Sequence, residues 1–185
     1  MACRGRWGRG AIILAVTAIA GGLLAGCEAP EEQAAATMTK AQMDPVTRGQ
    51  YLVSIAGCND CHTPGYFFGM PDFDRMLGGS DVGFAMPGVG YFYGPNLTPD
   101  METGIGSWSE DQIVTALRTG TRPDGRVLAP IMPWMGFSNL TDEDAYAIAA
   151  YLKSIPAVAN RAPPPTGEGE MPPAPYMNII DPNAP

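Results

Sequence analysis

Residues 58–62 read CNDCH and hold two of the chain's four cysteines together with its single histidine, His62. Two thiols three residues apart can reach two vinyl substituents on one edge of a haem. The next residue can then bring its imidazole to the iron, so the spacing predicts covalent haem attachment through Cys58 and Cys61 with His62 as an axial ligand. Two other chemistries use similar residues. A thiol–disulfide pair would sit at the start of a helix in a βαβ unit, and no such pattern flanks this stretch. A zinc site would need four ligands, and the chain has no second histidine to complete one.

The same lone histidine constrains the far side of the iron. Bis-histidine ligation is excluded, and a thioether is the usual alternative in electron-transferring haems, where it favours the reduced iron and raises the potential. Eleven methionines are available, one of them the initiator.

The N-terminus accounts for the remaining cysteines. Arg4, Arg6 and Arg9 precede an apolar run over residues 11–24 that is short for a membrane span, and small residues follow. This is the layout of an export signal. It ends in LAGC, which resembles the bacterial lipobox, so residues 1–26 read as a lipoprotein signal peptide and Cys27 as the acylated first residue of the mature chain. An ordinary or uncleaved signal is the alternative. Cleavage ahead of Cys27 removes three arginines and no acid, leaving 8 basic against 19 acidic residues and a net charge of −11. Such a surface opposes binding to nucleic acid and suits a partner with a basic face.

Positioning elements must come from a chain with 23 glycines and 19 prolines, much of which is therefore loop. Residues 27–43 are polar and alanine-rich, a flexible tether. Helices are predicted over 45–56, capped by Asp44 and opened by Pro45, over 109–119, where Ser109 and Gln112 have capping-box spacing, and over 141–154, where Thr141 and Asp144 repeat it. Residues 63–106 are rich in glycine and aromatics without sustained periodicity. One hairpin within FAMPGVGYFYG and little other sheet are expected there, and a loop of this length usually wraps something. The Pro-rich end, residues 159–185, is expected to be an extended tail lying on the surface through Tyr176, Ile179 and Ile180.

The segment over residues 94–158, with NLTPD, TGIGSW, RTGTRPDGR, MPW and LTDEDAYAIAAYL, together with RGQYLVSIAGCNDCHT, resembles the c-type cytochrome subunits of bacterial membrane-associated dehydrogenases. The likeness covers most of residues 47–158. It implies a mostly α, single cytochrome c-like domain over residues 44–158, with long Gly/Pro/aromatic-rich loops around the haem, and it places the distal iron ligand at the methionine before a proline, Met132. The flanking Pro130 and Pro133 agree with this, because they stiffen an extended approach and reduce the entropy cost of holding a weak ligand. Met135 is the second candidate, ahead of Met70, Met86 or an open position. Trp134 and the Tyr91–Tyr93 stretch are candidates to cover the macrocycle or for generic packing. Arg122 and Arg126 are candidates to face the haem carboxylates or simply solvent.

The resemblance implies a one-electron carrier rather than an enzyme, with one covalent haem c. It would be exported and lipid-anchored on the periplasmic side of a bacterial membrane. Its partner would be a dehydrogenase, an oxidase or another cytochrome with a basic docking face. Subunits of this kind often carry several haems and end in a membrane-binding segment, whereas this chain has one CxxCH and its lipobox at the front. A fixed haem subunit of a larger complex, and a haem sensor or enzyme with a displaceable distal methionine, are the alternatives.

Overall fold

The computed structural model describes residues 43–180. The first helix, α1 (Pro45–Ile55), begins where the Asp44 carboxylate accepts the Val46 and Thr47 N–H groups at 3.0 and 3.1 Å. A second, five-residue helix, α2 (Cys58–His62), follows it. The predicted capping box is formed on α3 (Glu110–Thr119): Ser109 Oγ accepts from the Gln112 N–H, and the Gln112 side chain accepts from the Ser109 N–H. A one-turn helix, α4 (Trp134–Phe137), leads to α5 (Asp142–Ser154), whose first turn is capped by Thr141. All three predicted long helices are present, and the two short ones had no periodicity by which to be predicted.

The core is the crossing of α1 and α5 with α3 packed alongside, burying Leu52, Val53, Ile113, Leu117, Ile148 and Leu152. The crossing is unusually close at Gly49, where an added Cβ would stand 1.9 Å from the Ala147 carbonyl oxygen. The Arg48 Nε–Asp144 ion pair at 3.1 Å fastens the same two helices across a largely buried contact.

The long loop contains two single turns of 3₁₀ helix, Tyr66–Phe68 and Phe73–Arg75, and the expected hairpin, β1 (Gly83–Met86) antiparallel to β2 (Gly90–Tyr93). The Pro-rich end joins that hairpin. Strand β3 (Thr166–Gly167) pairs with β2, and β4 (Tyr176–Met177) pairs in parallel with β1, giving the order β3-β2-β1-β4. Both added strands lie at sheet edges, where proline's missing donor is tolerated. Tyr176 makes the contact expected of it, packing edge-on to Tyr91, whereas Ile179 and Ile180 are exposed. The fold is mostly α, with one small sheet.

What holds the loop against the helices is a polar knot in NLTPD. Buried Asn96 donates from Nδ2 to Thr103 Oγ1 (3.1 Å), the Val158 carbonyl (2.7 Å) and the Asn160 carbonyl (3.1 Å), and its Oδ1 accepts from the Thr98 N–H and hydroxyl. Truncating it strands several buried groups at once. Asn96→Ala is expected to cost roughly 2–3 kcal/mol, read as a fall of roughly 5–10 °C in melting temperature at this chain length.

Candidate haem site

Helix α2 places Cys58, Cys61 and His62 within little more than one turn, with the two cysteines three residues apart on one face. Both thiols are free and half-buried. Burial pushes the Cys58 thiol up to about 11, with the neighbouring Cys61 and Asp60 adding to it, and burial likewise raises Cys61. The thiols are therefore protonated near neutral pH, which disfavours a reactive dithiol.

His62 is buried, and its Nδ1 lies 2.7 Å from the Pro95 carbonyl oxygen. A carbonyl can only accept, so the hydrogen bond assigns the proton to Nδ1 and leaves the Nε2 lone pair available. Burial also lowers the imidazole's pKa, against the opposing pull of the Pro95 bond, and keeps the ring neutral. A neutral imidazole whose other nitrogen donates to a carbonyl is the form a metal ligand takes. The approach that makes this bond is set by Gly94: a Cβ there would stand 1.7 Å from the Cys61 carbonyl oxygen and 3.3 Å from His62 Nδ1. Pro95 was not singled out from sequence, and its only signal is its place after a glycine in GPN.

Beside α2 lies an apolar cleft of about 200 Å3 whose lining includes Leu52, Ile55, Cys58, Leu117, Phe137 and Ile148. Cys58 opens onto it, whereas Cys61, His62 and Met132 lie outside its lining. Met132 instead packs, partly buried, against the helical core. Its N–H donates to the Ala129 carbonyl at 3.0 Å and its carbonyl accepts from the Trp134 N–H at 2.8 Å, so two tight turns fix its backbone. The other methionine candidates differ in setting: Met135 and Met70 are 56% and 75% exposed, and Met86 is on β1 in the sheet.

A sequence model of the cytochrome c family matches residues 46–156. The chain belongs to the cytochrome c family. Among its relatives, the fructose dehydrogenase cytochrome subunit of Gluconobacter japonicus is 36% identical over 130 residues, covering 70% of this chain and 25% of that protein. The quinone-dependent alcohol dehydrogenase cytochrome c subunit of Gluconobacter oxydans is 35% identical over 122 residues, covering 64% and 23%. A diheme cytochrome c-type protein of Cereibacter sphaeroides is 40% identical over 116 residues, covering 60% and 36%. The cytochrome c chain thus spans about a quarter of the length of the first two relatives.

The cofactor of a cytochrome c is covalently bound haem c, and the residues present fit it. The two thiols and the neutral imidazole carry that fit; among the described residues the buried side-chain nitrogens without a hydrogen-bond partner are Arg118 Nε, Arg122 Nε and Trp134 Nε1. The Trp134 indole lies flat on Gly120, where a Cβ would meet it at 2.8 Å and where the backbone is left-handed at φ +69°. Arg122 rests over the Trp108 ring, 5.2 Å from its centroid. Tyr93 and Tyr91, by contrast, turn to the C-terminal segment: the Tyr93 hydroxyl donates to the Ala174 carbonyl, and Tyr91 packs on Tyr176. Cys27, the leader and nearly all of the tether lie outside the described residues.

Proposed function

We propose that this cytochrome c is a membrane-tethered carrier or electron-accepting subunit that takes electrons from a bacterial dehydrogenase through a single haem c. In this reading Cys58 and Cys61 form the thioether links, His62 supplies Nε2 to one face of the iron, and Met132 supplies its sulfur to the other. The bound haem would contribute one-electron exchange between ferric and ferrous iron.

The observation that carries the reading is the His62–Pro95 hydrogen bond. It holds the proton on Nδ1, sets the plane of the ring, and leaves a buried, neutral nitrogen with a lone pair one residue after two free thiols. Support for the methionine is its partly buried, doubly turned backbone between two prolines. A haem held from both sides by protein side chains would leave a substrate no open position, which favours a carrier over a sensor or an oxidase.

The dehydrogenase partner is proposed from the relatives, whose names are those of cytochrome subunits of fructose, alcohol and gluconate dehydrogenases. Export to the periplasmic side and acylation at Cys27 follow from the leader and lipobox. Among the described residues no helix is long and apolar enough to cross a membrane; in this reading the anchor would be the lipid on Cys27, proposed from the lipobox. The acidic surface favours a basic docking face on the partner and an encounter rate that falls with ionic strength. Purification from native membranes in mild detergent tests this. A dehydrogenase that elutes with the protein at low salt and leaves at high salt fits a docking carrier, and one that stays at high salt fits a fixed subunit. A non-redox companion alone would contradict the assignment.

A further inference from the structure

We propose that Tyr93 is a positioning residue for His62, and that the Pro-rich C-terminal segment, by gripping the Tyr93 hydroxyl, holds the Pro95 carbonyl against the imidazole. This rests on the haem reading above and deepens it. It gives a segment that lies beyond the family match over residues 46–156 a part in tuning the proximal ligand.

The β1–β2 hairpin alone is a poor anchor. Its strands are four residues each, and an isolated two-stranded hairpin is marginally stable in water. The C-terminal segment adds a strand to each edge, and it also grips the place where β2 ends. There the buried Tyr93 hydroxyl donates to the Ala174 carbonyl at 2.7 Å and accepts from the Ala174 N–H at 3.3 Å. The Tyr93 ring lies across Gly83, where a Cβ would stand 2.6 Å from its Cε1. The Gly83 N–H donates in turn to the Pro175 carbonyl at 2.9 Å. Two consecutive residues of the segment, Ala174 and Pro175, thus hold both strands of the hairpin at one point.

From that point the chain is two residues from Pro95. The Gly94 carbonyl accepts from the Ser80 N–H at 2.8 Å, and the proline ring fixes φ at the next residue. The direction of the Pro95 carbonyl therefore follows closely from where Tyr93 delivers the backbone, and that carbonyl lies 2.7 Å from His62 Nδ1. On the downstream side Asn96 is tied to the Val158 and Asn160 carbonyls, so Pro95 is bracketed by contacts to the C-terminal part of the chain. Removing the Tyr93 hydroxyl strands the Ala174 groups and releases the upstream side of the bracket.

A hydrogen bond given by Nδ1 makes a ligating imidazole more basic and favours ferric iron, so loosening it should raise the reduction potential. The test uses the full chain with its haem attached and takes two readouts equally far below each variant's melting temperature. One is the rate at which the His62 Nδ1 proton exchanges with water in the ferrous protein, followed by NMR, and the other is the potential. Tyr93→Phe keeps the ring and is expected to speed that exchange about tenfold and to move the one-electron equilibrium about threefold toward ferrous iron. Gly83→Ala, whose methyl crowds the same ring, should move both further in the same direction. Glu168→Ala frees the segment from the turn end of the hairpin, where the carboxylate accepts the Gly88 N–H at 2.9 Å, and should change neither. Parental exchange and potential in Tyr93→Phe, or equal changes in Glu168→Ala, would overturn the inference and leave the haem reading standing. A parent without covalent haem would overturn that reading and this inference with it.

Discussion

Replacing Met132 by alanine is expected to abolish the methionine-to-iron absorbance of the ferric protein, open the iron to carbon monoxide, and lower the reduction potential by roughly 0.1 V or more, within the ~0.8 V that axial ligation spans. The sulfur is proposed as the soft ligand that favours ferrous iron, and the chain has no second histidine to take its place. Met132 also packs on the helical core, so the alanine variant should lose roughly 2 kcal/mol of stability through the cavity it leaves. Met132→Leu separates the two effects. It keeps the volume and should melt within a few degrees of the parent, yet it should show the same spectral loss. Met135→Ala, at a half-exposed position, should alter neither. A spectrum lost on Met135→Ala and kept on Met132→Leu would move the ligand three residues along the chain.

The second large effect is expected at Gly94. Its backbone passes so close to α2 that a single methyl would stand 1.7 Å from the Cys61 carbonyl oxygen, and that oxygen belongs to the helix and cannot turn away as a side chain would. Gly94→Ala must push Pro95 off α2, and the first bond to stretch is the one from His62 Nδ1. Overpacking at this severity should exceed the usual 1–3 kcal/mol. The expected result is a fall in melting temperature of roughly 10 °C, together with a smaller haem-loaded fraction and a weakened histidine-ligated spectrum. Asn96→Ala, which loosens the same loop two residues on without crowding α2, should lower the melting temperature and leave the spectrum alone.

The parts legible in the sequence are those governed by short-range rules. Ser109 with Gln112 and Asp44 with Pro45 mark helix starts because capping satisfies backbone groups within three residues. CNDCH is legible because its chemistry is held in five consecutive positions. The hairpin in FAMPGVGYFYG is visible as glycine punctuation between aromatics. What the sequence hides is long-range. The Pro95 carbonyl meets His62 across 33 residues, and Lys153 reaches Trp108 across 45. The docking of the Pro-rich segment on both edges of the hairpin depends on Tyr93 meeting the Ala174 carbonyl, 81 residues apart. A proline-rich composition reports that such a segment cannot be helical, but not which edge it will find. Arg122 and Arg126 likewise look alike in RTGTRPDGR, and only the fold shows that Arg126 grips Asp124 in two hydrogen bonds while Arg122 stands 3.5 Å from the same acid, over the Trp108 ring.

The most direct test of the account is a redox titration, followed optically, of the chain exported with its haem-attachment machinery, with haem counted per polypeptide after denaturation. The account predicts one haem that stays covalently attached in denaturant, a low-spin spectrum in both oxidation states, and a single reversible wave with the slope of a one-electron couple. Haem that washes out on denaturation, more than one haem per chain, or a high-spin ferric spectrum that binds carbon monoxide rapidly on reduction would contradict it.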